Sequence, residues 1–140
     1  MSSGPSPGIV YLDSVIVIYF VEGPAPFQAA AQTHLTALRI AGHRLAVSDL
    51  TRLECRVKPL WLGNVAVLAD FEAFFTAADL AKVPITSAVF ERATTIRAVH
   101  NFSLGDSLHL AAAVEAGCDR FLTNDLQLVS FSQITVEVLP

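Results

Sequence analysis

Apolar positions along this chain fall into two rhythms. Short runs at Ile9–Asp13, Leu45–Ser48, Arg120–Thr123 and Thr135–Leu139 have the length and the bounding residues of strands. Lys82–Ile85 is a further short apolar piece. Between them lie segments with helical spacing. Phe27–Ala41 carries Ala30, His34, Leu38 and Ala41 on one stripe, with Gly42 as the stop. Asp49 is the expected N-cap of a helix reaching about Trp61, and Val65–Leu80 follows. Thr86 or Ser87 caps a helix over Ala88–His100, and Ser107–Ala116 ends at Gly117. Ser14–Val21 is ambiguous, because Val15, Ile16, Val17 and Ile18 favour strand by propensity alone.

Strands alternating with helices predict an α/β domain with a mostly parallel sheet over residues 9–140. The serine-, glycine- and proline-rich stretch Met1–Gly8 reads as a disordered arm. In such sheets, sites form at the carboxyl ends of the strands.

Composition adds three constraints. Hydrophobic residues make up 53% and charged residues 16%, so a generous core and an apolar patch for a protein partner are expected. A net charge of −4 argues against a general polyanion binder. Any nucleic acid must be held by metal ions and a local basic cluster, for which Arg52, Arg56 and Lys58 are the candidates. Cys55 and Cys118 form no CxxC pair, which reads as a reducing cytoplasm, with Cys55 as a small buried side chain. Ile9–Val21 is too short to span a bilayer and no basic residue precedes it, so no membrane role is expected.

Four acids stand out. Asp13 and Asp125 end apolar runs, and Glu54 and Asp106 lie near the starts of helical segments. A carboxylate at a core edge resists ionising unless something pairs with it. These residues are far apart in the chain, so only the fold can bring them together. If they converge, a divalent cation is the cheapest partner.

The wording around the acids is informative. Tyr11-Leu12-Asp13-Ser14, Leu50-Thr51-Arg52-Leu53-Glu54, Leu104-Gly105-Asp106-Ser107 through Ala113, and Gly117-Cys118-Asp119-Arg120-Phe121-Leu122-Thr123-Asn124-Asp125 occur in this order. Together they resemble the acidic segments of PIN-domain ribonucleases, and by size and wording the VapC-type toxins of toxin–antitoxin pairs. The resemblance implies a three-layer α/β/α fold with helices flanking the sheet, and it makes Ser14–Val21 a helix. It implies an acidic pocket holding Mg²⁺ or Mn²⁺ through Asp13, Glu54, Asp106 and Asp125. Ser14 and Thr123 match the hydroxyl residues beside the first and last acids. An RNA substrate, a homodimer and a cognate antitoxin are also implied. The chain departs from the pattern at Val15, where Asn or Ser is frequent.

Carboxylate oxygens suit hard cations such as Mg²⁺ and Mn²⁺. Metal-activated water attacking in line predicts 5′-phosphate and 3′-hydroxyl ends. Glu54 is expected to act through water or to accept a proton. His109 shares a helix face with Asp106 and reads as a packed histidine rather than a ligand. A haloacid-dehalogenase-like phosphatase needs a second Asp where Val15 stands. A receiver-type domain needs a Lys after a late strand, and the only lysines are Lys58 and Lys82. A catalytically silent PIN-like binding module is the remaining alternative.

Overall fold

A computed structural model describes residues 7–139. The arm expected over Met1–Gly8 lies, up to residue 6, outside the described residues. Gly8 is tied down, its N–H donating to His43 Nδ1 at 3.0 Å and its carbonyl accepting from Arg44.

Five strands form one parallel sheet in the order β3-β2-β1-β4-β5: β1 (Ile9–Leu12), β2 (Arg44–Ser48), β3 (Ala81–Val83), β4 (Arg120–Thr123) and β5 (Thr135–Val138). The chain leaves β1 through α1 (Ser14–Glu22) and α2 (Ala25–Ile40) to reach β2. Helices α3 (Asp49–Leu62) and α4 (Val65–Phe75) lead on to β3. Helices α5 (Ser87–His100) and α6 (Leu104–Glu115) then carry it back to β4 on the other side of β1. The strand order therefore reverses between β1 and β4, and the carboxyl ends of two such strands are where open α/β sheets place their ligands.

Alternation along β1 and β4 makes the three layers. Tyr11 and Phe121 face one side, stacked with centroids 5.5 Å apart, among Ile96, Leu110 and Ala111 of α5 and α6. Val10, Leu12 and Leu122 face the other, among Ile16, Leu35 and Phe71 of α1, α2 and α4. Ala111, Ala112 and Ala113 are fully buried, which lets α6 lie close to the sheet.

Several boundaries differ from the sequence expectation for local reasons. Ser14–Glu22 is helical against its β-branched composition, because Asp13 caps Ser14 N–H and buried contacts at Ile16 and Val17 reward the helix. Ser48, not Asp49, is the N-cap of α3, and its N–H donates to Thr51 Oγ1 at 3.1 Å. Helix α4 stops at Phe75 rather than Leu80, where the Thr76 hydroxyl donates back to the Glu72 carbonyl. Strand β3 ends at Val83, since Pro84 has no N–H for the ladder. Helix α6 begins at Leu104, three residues before the expected Ser107, because Ser103 Oγ caps Asp106 N–H. A short 3₁₀ helix, Leu126–Ser130, had no signal that pattern reading picked up. Among the described residues no single helix is long and apolar enough to cross a membrane. The apolar pair α1 and α2 is bent by 111°.

Candidate active site

The switch-point site is built from Asp13 outward. Asp13 follows β1, and its N–H donates to the Leu122 carbonyl of β4 at 2.9 Å, which locks the two strand ends together. Its Oδ1 accepts from Ser14 N–H at 2.8 Å, and its Oδ2 accepts from the Thr123 hydroxyl at 2.7 Å. Thr123 is fully buried, and its oxygen also accepts from Asp125 N–H at 3.1 Å. One hydroxyl thus couples the first acid to the turn carrying the last. Asp125 caps the 3₁₀ helix through Gln127 N–H at 2.9 Å and stays half-buried.

Asp106 lies in the first turn of α6 and is half-buried. Burial raises its carboxyl above the ordinary value, and repulsion from Asp13 and Asp125 raises it further. Asp13 is also raised, first by burial; His109, Thr123 and Ser14 pull it back. Asp106 therefore senses the charges of Asp13 and Asp125, and Asp13 that of Glu54.

Glu54 is arranged differently. Its Oε1 accepts from Ser14 Oγ at 2.7 Å and forms a short contact with His109 Nε2. The His109 hydrogen bond holds its carboxyl below the ordinary value. Asp49, in the first turn of the same helix, lines an outer groove of about 410 Å³ with Arg52, Leu53 and Arg56. Cys55 is buried with its thiol pushed up to about 12 by desolvation, and it donates weakly to the Ser14 carbonyl. It behaves as a packed side chain.

The three basic candidates do not form one rim. Arg52 pairs with Glu72 of α4 at 3.0 Å. Lys58 lines a separate groove of about 510 Å³ with Tyr19, Glu22 and Leu62. Of the aromatic residues, Phe71, Phe74 and Phe75 are core, whereas Trp61 is 83% exposed.

Sequence reading missed the role of His109. It is 1% exposed, and it joins Glu54 and Ser14 on one side to Tyr11 on the other. Helical spacing from Asp106 placed it on the correct face but gave no sign of partners on β1 and α3.

The donor set fits a hard divalent ion. It consists of carboxylate oxygens, and two of the carboxyls are raised by burial and like charge, which a cation relieves. Among the described residues, no three His, Cys, Asp or Glu side chains stand drawn together as a finished metal cage.

The PIN domain profile matches residues 10–134. No curated protein matches the sequence. Among solved structures, the chain is similar to VapBC2 from Rickettsia felis bound to a promoter DNA fragment, with a TM-score of 0.78 and 13% identity over 94% of this chain and 99% of that one. It is similar to a toxin–antitoxin complex from Klebsiella pneumoniae, with a TM-score of 0.70 and 17% identity over 94% and 98%. It is also similar to Mycobacterium tuberculosis VapC20, described as a sarcin-ricin loop cleaving toxin, with a TM-score of 0.69 and 12% identity over 90% and 98%. At these identities the likeness to the solved structures is one of fold. The profile match spans most of the sequence, and the chain belongs to the PIN-domain family.

Proposed function

We propose that this chain is a metal-dependent endoribonuclease and the toxin of a toxin–antitoxin pair, acting in the cytoplasm. The observation that carries the reading is that Asp106, its carboxyl raised by burial and by the charges of Asp13 and Asp125, stands at the β1/β4 switch point with Asp13, whose two oxygens are held by Ser14 N–H and the Thr123 hydroxyl. Those three carboxylates would hold Mg²⁺ or Mn²⁺, with Glu54 beside them. A divalent cation bound there supplies the positive charge against which water and a phosphodiester can meet.

The chain's own residues supply the rest. Thr123 and Ser14 N–H fix both oxygens of Asp13, so its carboxylate does not rotate as charge develops. Glu54, kept ionised by His109, orients water and accepts its proton. Attack of water on phosphorus leaves 5′-phosphate and 3′-hydroxyl ends and does not use the ribose 2′-hydroxyl. The choice of RNA is therefore supported by the VapC20 likeness rather than by the acids. Arg56 and Lys58 are the proposed phosphate contacts; Arg52 is held by Glu72 and contributes less.

Partners are proposed on two grounds. Structures of similar fold are toxin–antitoxin complexes. An apolar face, Leu53, Val57, Leu60, Trp61 and Val65, is exposed along α3 and the start of α4. Such a face fits a protein surface: an antitoxin segment or the second copy of a homodimer.

Total RNA incubated with the purified chain tests the reading. Fragmentation in Mg²⁺ that stops in EDTA is expected. Intact RNA in Mg²⁺ would favour a silent binding module, and cleavage that persists in EDTA would remove the metal.

A further inference from the structure

A polar chain crosses the core from the sheet to the acidic edge. Ser48 Oγ lies 2.8 Å from the Tyr11 hydroxyl, and that hydroxyl lies 2.7 Å from His109 Nδ1. On the far side of the ring, His109 Nε2 contacts Glu54 Oε1 and lies 3.2 Å from Ser14 Oγ. Tyr11 and His109 are almost wholly buried, and Tyr11 has its hydroxyl pushed well above its ordinary value by desolvation. An ionised carboxylate has no hydrogen to give, so the Nε2 contact requires hydrogen on Nε2. In the neutral ring Nδ1 is then bare and accepts from Tyr11, which fixes the tautomer from behind.

The other Glu54 oxygen faces the first turn of α6. Gly105, the residue before Asp106, has no Cβ, and a methyl there would come within 3.2 Å of Glu54 Oε2. Oε1 is thus committed to Ser14 and His109, while Oε2 lies over Gly105 in the first turn of α6.

We propose that His109 is a positioning residue that holds Glu54 through its Nε2 hydrogen, with Tyr11 setting the imidazole tautomer. The effect on rate rests on the nuclease reading of the acidic edge. The competing account is packing alone: a buried histidine filling space. The two differ in what an apolar replacement does. Leucine of similar bulk relieves the burial of a polar ring and supports the fold, but it lets Glu54 swing. Glutamine keeps a donor near the Nε2 position.

Three variants are compared on RNA: His109→Leu, His109→Gln and Tyr11→Phe. His109→Leu is expected to lower kcat by about 10–100-fold, the usual cost of losing a partner that orients a site carboxylate or ligand. Its KM should stay near the original and its Tm should not fall. His109→Gln should recover most of kcat, and Tyr11→Phe should fall between. Normal kcat in His109→Leu, in a preparation whose Asp13→Asn variant is inactive, overturns the positioning role and leaves the nuclease reading intact. Equal loss in Leu and Gln with lowered Tm assigns His109 to packing and overturns it too. Long-range ¹H–¹⁵N correlation spectra of the intact chain read the ring without any RNA. Hydrogen on Nε2 with Nδ1 bare is expected, and a ring bearing hydrogen on Nδ1 overturns the relay even if the chain cleaves nothing.

Discussion

Asp13→Asn is expected to lower RNA cleavage by on the order of 10²–10³-fold, as for other groups that stabilise developing charge, and to leave the fold intact. The substitution keeps the size of the side chain and removes its charge. Asp13 is the acid whose two oxygens are both fixed, by Ser14 N–H and by the Thr123 hydroxyl, so no other carboxylate can take over its place. Stability has two opposing contributions. An amide offers one acceptor oxygen to two donors, which costs about 1 kcal/mol for the unmatched one. Against this, burial disfavours the ionised form of Asp13, and the amide removes that penalty.

The pH dependence follows from the sign of the shift. The folded-state value of Asp13 lies above the unfolded one, so the folded chain binds the proton more tightly. That stabilisation is complete below the unfolded value of about 3.9 and is lost as pH rises through the folded value. Asp106 acts in the same direction. Relative to the original chain, Asp13→Asn should therefore be least stable in acid and most stable near neutrality, a trend that thermal unfolding across pH will show. Full cleavage by the folded variant would refute the site.

The second large effect is stabilisation by metal. A cation that binds only the folded chain adds about 2.7 kcal/mol at a hundred times its Kd. For a chain of this size that corresponds to a rise in Tm of roughly 8 °C. Mn²⁺ titration should produce this rise in the original chain, and Asp13→Asn and Asp106→Asn should each abolish most of it. Glu54→Gln should retain more of it, since Glu54 is already engaged by Ser14 and His109. A flat response in the original chain would count against a metal site at this edge. An undiminished response in both aspartate variants would move the metal elsewhere.

The parallel sheet was legible because short apolar runs alternate with helical segments, whereas the layers rested on the family resemblance; the structure sends Tyr11 and Phe121 to one core and Val10, Leu12 and Leu122 to the other. The sheet edge that carries the acids was legible because Asp13 and Asp125 end apolar runs, whereas the strand order that makes it a switch point was not. Helix α1 was not legible from propensity: β-branched residues read as strand, and only burial against α2, α3 and α4 reverses that preference. The start of α6 was misplaced because the capping serine stands ahead of a glycine, which weakens the local helical signal. Adjacency along α3 likewise says nothing of Glu72 on α4, which pairs with Arg52. The tie between Glu54 and His109 was invisible for a related reason. It runs through β1, α1, α3 and α6, and no local spacing encodes a contact among four elements.

If the acids at the ends of β1 and β4 hydrolyse RNA with metal-activated water, the ends of the cleaved RNA record it. Mapping them is expected to give 5′-phosphate and 3′-hydroxyl ends, formed with Mg²⁺ or Mn²⁺ and absent in EDTA and with Asp13→Asn. Products ending in 2′,3′-cyclic phosphate would contradict it, because they require the ribose hydroxyl as nucleophile and leave the four acids without the role assigned to them.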